Sequence, residues 1–284
     1  MLQSSRLIES LETRRLLSAS ATVTAAGVLT VEPFAGMPNT IKVEAGVNQI
    51  DVSVIGGHGH GQKFSTIIQT TGTNVTVPTS ILVQGSQEAD TIEVGVNSNL
   101  LLPTTIDGLN GNDSIEVGQQ AATIVEGSGK DSIFAGNGND IIICGNGKDT
   151  IVTGNGNDQI KGGSGKNIIT AGDGNDLIEG GSGPDIIHAG NGNDVIYGED
   201  GNDLIIAGNG NDSLWGGQGK DTLDAGSGSD TFGIVQGRNI ASGTGPDKFV
   251  ANSLASLEAQ TTTYDPGKGD TFVLNTAEAT PPAI

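Results

Sequence analysis

The stretch Ala189-Gly190-Asn191-Gly192-Asn193-Asp194-Val195-Ile196-Tyr197 decides the fold, because it recurs without a change of register. From Gly108 to Gly233 the chain holds 14 consecutive copies of this nonad. The second position is Gly in 12 copies, with Leu109 and Glu199 as exceptions, and the fourth is Gly in 13, with Gln120 as the exception. The sixth is Asp in 12 copies, broken by Ala122 and Asn167. The eighth is large and apolar in all 14, from Ile115 through Ile196 to Phe232. A fixed period of this kind settles the architecture before any local reading does.

Each column has a physical meaning. Two glycines around one variable residue call for a backbone turn with positive φ or a close approach of chains. The three residues after the Asp, such as Val195-Ile196-Tyr197, make a very short strand whose middle residue faces inward, because strand side chains alternate. Turn, strand, turn, strand describes a coil of chain with an Ile ladder inside and carboxylates along its edges. The first column adds a second period. Copies opening at Gly108, Glu126, Cys144, Gly162, Gly180, Gly198 and Gly216 alternate with copies opening at Val117, Ala135, Thr153, Ala171, Ala189, Ala207 and Ala225. The first set has five Gly of seven and the second five Ala of seven, so the true repeat is a pair of nonads and the two edges differ. The array predicts seven turns, about 34 Å at ~4.8 Å per stacked strand.

The unit resembles G-G-x-G-x-D-x-U-x, the nonapeptide of RTX (hemolysin-type) calcium-binding proteins. The resemblance runs from Gly108 to Gly233 of the 284 residues. It implies an all-β fold, a right-handed parallel β-roll or β-solenoid, with Ca²⁺ held between successive loops of one edge by motif aspartates and loop carbonyls. It makes Asp113, Asp131, Asp149, Asn167, Asp185, Asp203 and Asp221 the ligands of one edge, and Asp140, Asp158, Asp176, Asp194, Asp212 and Asp230 those of the other. Neighbouring pairs on each edge would hold up to about 11 ions. Hard-cation chemistry agrees, since Ca²⁺ takes six to eight oxygens and needs no soft ligand. Asn167 supplies no charge, so its two intervals are expected to be the weakest.

Composition points the same way. The net charge is −20, from 33 acidic and 13 basic residues, and 12 of the acids are motif aspartates. Aromatics are 3% and glycines number 46, so a large conventional core is not expected and ordering carries a high entropic cost. Without cations this chain has little reason to fold. Extracellular calcium is high enough to fold such an array and cytosolic calcium is not, which predicts a secreted protein. A single cysteine, Cys144, excludes an internal disulfide and reads as a small loop residue. No apolar run reaches the ~20 residues of a membrane span. The acidic surface disfavours nucleic acid.

Four segments follow. Residues 1–20 read as a leader: Leu7, Ile8, Leu11, Leu16 and Leu17 share a helical face. The run Leu11-Glu12-Thr13-Arg14-Arg15-Leu16-Leu17-Ser18-Ala19 resembles the LEPR-XLL motif of large secreted bacterial proteins, with Thr13 where that family has Pro. A twin-arginine signal and an ordinary amphipathic helix are the alternatives. Residues 21–107 are β-rich and irregular. Asp90-Thr91-Ile92 and Asn39-Thr40-Ile41 look like eroded copies of the nonad, which predicts a decayed solenoid; a separate β-sandwich is the alternative. His58 and His60 read as a hairpin loop rather than a metal site. Residues 108–233 are the calcium-binding roll. Residues 234–284 are a cap and tail, where Asp247-Lys248-Phe249 and Asp270-Thr271-Phe272 keep an Asp-x-Phe signature.

Catalysis is not expected. Gly163-Ser164-Gly165-Lys166 is one more nonad rather than a P-loop, since Asn167 follows the lysine. His188 has no base or orienting partner in the pattern. The reading is a secreted, non-enzymatic calcium-binding repeat protein with a structural or adhesive role, its partners being calcium ions and either further copies of itself or a cell surface or matrix. A module of an RTX toxin or exoenzyme system and a β-solenoid polysaccharide enzyme are the alternatives. Columns seven and nine should face outward, and Ile141, Ile143, Ile168, Ile186, Val195, Leu204 and Ile206 would give that surface an apolar band.

Overall fold

The computed structural model describes residues 19–56, 62–69, 77–234, 240–244, 247–251 and 271–274. They fall into two compact units, Met1–Asp131 and Ser132–Ile284. Among the described residues every regular element is a strand and no helix occurs. The leader over residues 1–18, His58 and His60, and the tail from Asn275 lie outside the described residues.

In the second unit each nonad contributes one strand after its sixth position, successive ones going alternately to two parallel sheets, and Asn146–Gly147, Ser164–Gly165 and Gln218–Gly219 add two-residue strands at the turns. One sheet holds Ser132–Phe134, Thr150–Val152, Ile168–Asp173, Ile186–Asn191, Leu204–Asn209 and Thr222–Ser227. The other holds Ile141–Ile143, Gln159–Lys161, Leu177–Ser182, Val195–Gly201, Ser213–Trp215 and Thr231–Ile234. Every register step between these strands is two nonads, one full turn of the coil. Ile133, Ile151, Ile169, Ile187, Ile205 and Leu223 stand in one row. Ile142, Ile160, Ile178, Ile196, Leu214 and Phe232 stand in the other. All twelve are at most 2% exposed. Each contributes about 1.5–3 kcal/mol of apolar burial, the main favourable term of its rung.

The first column also faces inward, which the period alone did not reveal. Ala135, Ala171, Ala189, Ala207 and Ala225 are fully buried, and Cys144, a loop residue after the strand Ile141–Ile143 as expected, is also buried at 3% exposed. Its column stays small because it sits where the coil bends and the two sheets converge. The fourth column is glycine for want of room: a Cβ at Gly192 would fall on the carbonyl of Gly174 one turn back. After Phe232 the strict period ends but the sheet does not. Lys248–Ala251 and Thr271–Leu274 continue it in parallel, with Phe232, Phe249 and Phe272 in register. The strands Lys248–Ala251 and Thr271–Leu274 are therefore further rungs, and Asp270 lies outside the described residues.

The first unit is also a parallel solenoid, of uneven turn length. Val28–Glu32, Ser80–Gln84, Thr104–Leu109 and Ala122–Glu126 pair in parallel in one sheet. Asn39–Gly46, Thr91–Val94 and Ser114–Val117 do so in the other. Leu29 meets Ile81, Val83 meets Ile106 and Ile106 meets Ile124, so the turns shorten along the chain until they reach the length of two nonads. Ile41, Ile92 and Ile115 share a row. The long first turn holds an insertion. Gln49–Gly56 and Gln62–Gln69 pair antiparallel beyond Asn39–Gly46, while Ser20–Val23 lies antiparallel on Val28–Glu32. These antiparallel strands cover edges that the first parallel rung would otherwise present for pairing with another chain.

Candidate metal centres

The motif aspartates sit at the bends between strands, and the coil holds them by its own backbone. In the second unit the backbone N–H of each donates to Oδ1 of the ladder residue one turn on. Asp140, Asp158, Asp176, Asp194, Asp212 and Asp230 form one such ladder, with steps of 2.8–2.9 Å. Asp149, Asn167, Asp185, Asp203 and Asp221 form the other, at 2.7–3.1 Å. From Asp140 to Asp212 the carbonyl of each ladder residue also accepts from the next rung, as in Val195 N–H to Asp176 O at 2.8 Å. In the first unit Asp113 N–H donates to Asp131 Oδ1 at 2.9 Å. Every residue expected as a ligand is therefore placed on a ladder, and all are at most 3% exposed.

The second carboxylate oxygen has no such partner. Oδ2 of Asp176, Asp185, Asp194, Asp203, Asp212, Asp221 and Asp230 is buried without a hydrogen-bond donor. On the edge where the first column is glycine, it points into a recess over that glycine. A Cβ at Gly198 would lie 2.5 Å from both Asp203 Oδ2 and the carbonyl oxygen of Gly216. At Gly180 the corresponding atoms are Asp185 Oδ2 at 2.7 Å and the Gly198 carbonyl at 3.0 Å. Only glycine leaves this recess open, and it is lined by a carboxylate oxygen and a carbonyl oxygen with no proton between them. An unpaired buried carboxylate costs of the order of several kcal/mol.

That cost shows in the titration of the groups. Burial pushes Asp194 and Asp203 up to about 7, and Asp176, Asp185 and Asp230 to about 6, against the opposing pull of the backbone N–H each accepts. Asp158, Asp212 and Asp221 are raised for the same reason. What offsets such a cost is a cation. A donor set made only of carboxylate and carbonyl oxygens fits Ca²⁺ and offers nothing to softer metals.

Asn167 shows the arrangement with the proton supplied. Its Oδ1 takes the ladder bond from Asp149 N–H at 3.0 Å, and its Nδ2 donates to the carbonyl of Gly180 at 3.4 Å. The amide N–H thus reaches the oxygen that Oδ2 of an aspartate would face across a cation. The outer side of the loops carries a ladder of its own. Asn139, Asn157, Asn175, Asn193 and Asn211 each accept, through Oδ1, the N–H of the residue one turn on. On the other edge that column holds Lys148, Lys166, Pro184, Asn202 and Lys220, so the two edges differ chemically, as the paired-nonad period implied.

Two ladder residues escaped the sequence reading. Asp247 continues one ladder, since Asp230 N–H donates to its Oδ1 at 3.2 Å, and Asp90 begins another, donating its N–H to Asp113 Oδ1 at 2.7 Å. Both lie in segments that carried the Asp-x-apolar signature. Their spacings of 17 and 23 residues fall outside the strict period that defined the site. Glu126, read only as a first-column exception, is buried among Asp113 and Asp131.

The four-copy profile of the RTX calcium-binding nonapeptide repeat matches residues 127–151, 145–178, 170–205, 179–214 and 197–232. No curated protein matches the chain. The parallel coil and the buried aspartate ladders lie on these same residues, so residues 127–232 are similar to the RTX calcium-binding nonapeptide repeat in sequence and have a geometry that suits it.

Proposed function

We propose that the chain is secreted, that its roll orders on Ca²⁺ outside the cell, and that the ordered roll serves as a structural or adhesive element rather than an enzyme. The observation that carries this reading is the row of buried Oδ2 atoms facing carbonyl oxygens without a donor. Such a core is self-repelling until divalent ions enter. The ligands are the ladder pairs: Asp113 with Asp131, Asp185 with Asp203, Asp203 with Asp221, and Asp140 through Asp230 in succession. A calcium requirement of this kind suits export, because a chain that stays loose at low calcium folds where calcium is plentiful. Among the described residues no helix is long and apolar enough to cross a membrane. The motif carboxylates are held in backbone ladders, which leaves them unsuited to acid–base work. The outer columns add support for a contact role: Ile141, Ile143, Ile168, Ile186, Val195, Leu204 and Ile206 are half-buried on the strand surfaces.

Circular dichroism of the full chain, with and without a strong chelator, tests the reading alongside calorimetric Ca²⁺ titration. The expected result is loss of β signal on chelation, its return with Ca²⁺, and uptake of several ions per chain. A β spectrum indifferent to the chelator contradicts it.

A further inference from the structure

The first unit contains a carboxylate that the repeat does not call for. Glu126 occupies a first-column position, where five of the seven copies in its series have Gly. It ends the strand Ala122–Glu126, and the pairing with Thr104–Leu109 slips at that point: Val125 stands opposite Asp107 and Glu126 opposite Leu109. A bulge of this kind re-aims a side chain. Here it turns Glu126 inward over the Cα of Gly108, into the space that a Cβ there would fill. Glu126 is 5% exposed, and neither of its carboxylate oxygens has a hydrogen-bond partner. Ligand oxygens of Asp113, Glu126 and Asp131 lie within 4.8 Å of one another, and Asp113 Oδ2 is also without a donor.

Asp90, in the same unit, shows what a ladder aspartate looks like when protein satisfies it. Its Oδ1 accepts from Asn39 N–H at 2.6 Å and from Asn39 Nδ2 at 3.1 Å, and its Oδ2 accepts from Ser86 N–H at 2.5 Å. The chain thus closes the ladder with donors at Asp90 and leaves three carboxylates facing one another at the next step.

We propose that Asp113, Glu126 and Asp131 form a three-carboxylate Ca²⁺ site, more highly charged than the two-carboxylate intervals of the repeat and the tightest in the chain. The proposal rests on the reading of the repeats as calcium-binding. Calcium affinity in all-oxygen sites rises with the number of charged ligands, and Glu126 adds one. Mg²⁺ is disfavoured, because it keeps most of its water and this recess is filled by protein oxygen. Burial, reinforced by Asp113 and Asp131, drives the Glu126 carboxyl far above its ordinary range, as expected for a group that lacks its counter-charge.

The test is calorimetric titration of the full chain with Ca²⁺ against a competing chelator, for the wild type, Glu126→Gln, Glu126→Gly and Asp194→Asn. Glu126→Gln keeps the side chain's shape, and Glu126→Gly restores the residue most common in that series, so one variant remains informative if the other fails to fold. Both Glu126 variants should lose the tightest class of sites, its affinity falling about tenfold or more, with the weaker classes unchanged. Asp194→Asn should leave the tightest class intact. A tightest class that survives both Glu126 substitutions overturns the proposal. So does a gain in affinity in Glu126→Gly, which would mean that the glutamic acid fills the recess in place of a cation. A wild type that takes up no calcium overturns the calcium reading of the repeats itself.

Discussion

Glu199 is the residue at which the backbone demand of the repeat shows most plainly. In the second column Gly172, Gly181 and Gly190 have φ of 127°, 107° and 122°, and Glu199 and Leu109 are held at 73° and 71°. Ten of the fourteen residues of this column have positive φ, and the two that carry a side chain are among them. For a residue with a Cβ this conformation costs roughly 1–2 kcal/mol, while glycine gives back about 0.5–1 kcal/mol through the unfolded chain. Glu199→Gly should therefore stabilise the calcium-loaded protein by about 0.5–1 kcal/mol, read from denaturant unfolding at saturating calcium. The substitution also removes a carboxylate that burial and the nearby Glu179 and Asp200 hold above its usual range. An unchanged or lowered midpoint would show that the left-handed turn is not strained there.

At the scale of strand and loop, the sequence was legible wherever strict spacing governed the geometry. Column eight announced the two buried rows, and the Gly/Ala alternation of column one announced two inequivalent edges. What it did not announce was how each carboxylate divides its oxygens. That depends on a bond to backbone a full turn away and on a recess above another residue's glycine, neither of which leaves a mark within one copy. Glu126 was hidden for a related reason, since its meaning comes from a bulge that the register does not predict. Asn167 was legible as a missing charge, but its Nδ2 bond to Gly180 was not. Asn167→Asp replaces that N–H with an oxygen facing a carbonyl. It should lower the melting temperature in chelator and raise it in calcium, with at least one more ion bound per chain by calorimetry. Equal melting of the two proteins in chelator would mean that the amide bond contributes nothing.

For the whole molecule the raised carboxylates set a dependence on pH that reverses with calcium. Asp176, Asp185 and Asp230 titrate near about 6 and Asp194 and Asp203 near about 7 in the folded roll, against 3.8 for the free group. The folded state therefore binds more protons than the unfolded chain across this window. Stability of the metal-free roll is fully present below about pH 4 and is lost as pH rises through 6 to 7. Calcium competes with protons for the same oxygens, so its affinity should fall as pH drops through that range. In chelator, far-ultraviolet dichroism should show more β structure at pH 5 than at pH 8, and calcium should restore the signal at pH 8. A metal-free chain more ordered at pH 8 than at pH 5 would contradict the burial of these groups.

Trp215 gives the irregular copies a purpose that uniform ones could not serve. In a perfectly repetitive coil, a strand displaced by one turn would find the same Ile, the same aspartate and the same backbone partners, and misalignment would go uncorrected. Trp215 stands opposite Gly233, and its indole lies in the space that any Cβ at that position would occupy. Its other neighbour on the strand surface is Tyr197, stacked at 4.8 Å between ring centroids. Gly233 is the single glycine among the 14 copies at the ninth position, so no other rung offers the indole that seat. The pair works as a registration mark: it lets a chain of near-identical turns tell one alignment from the next.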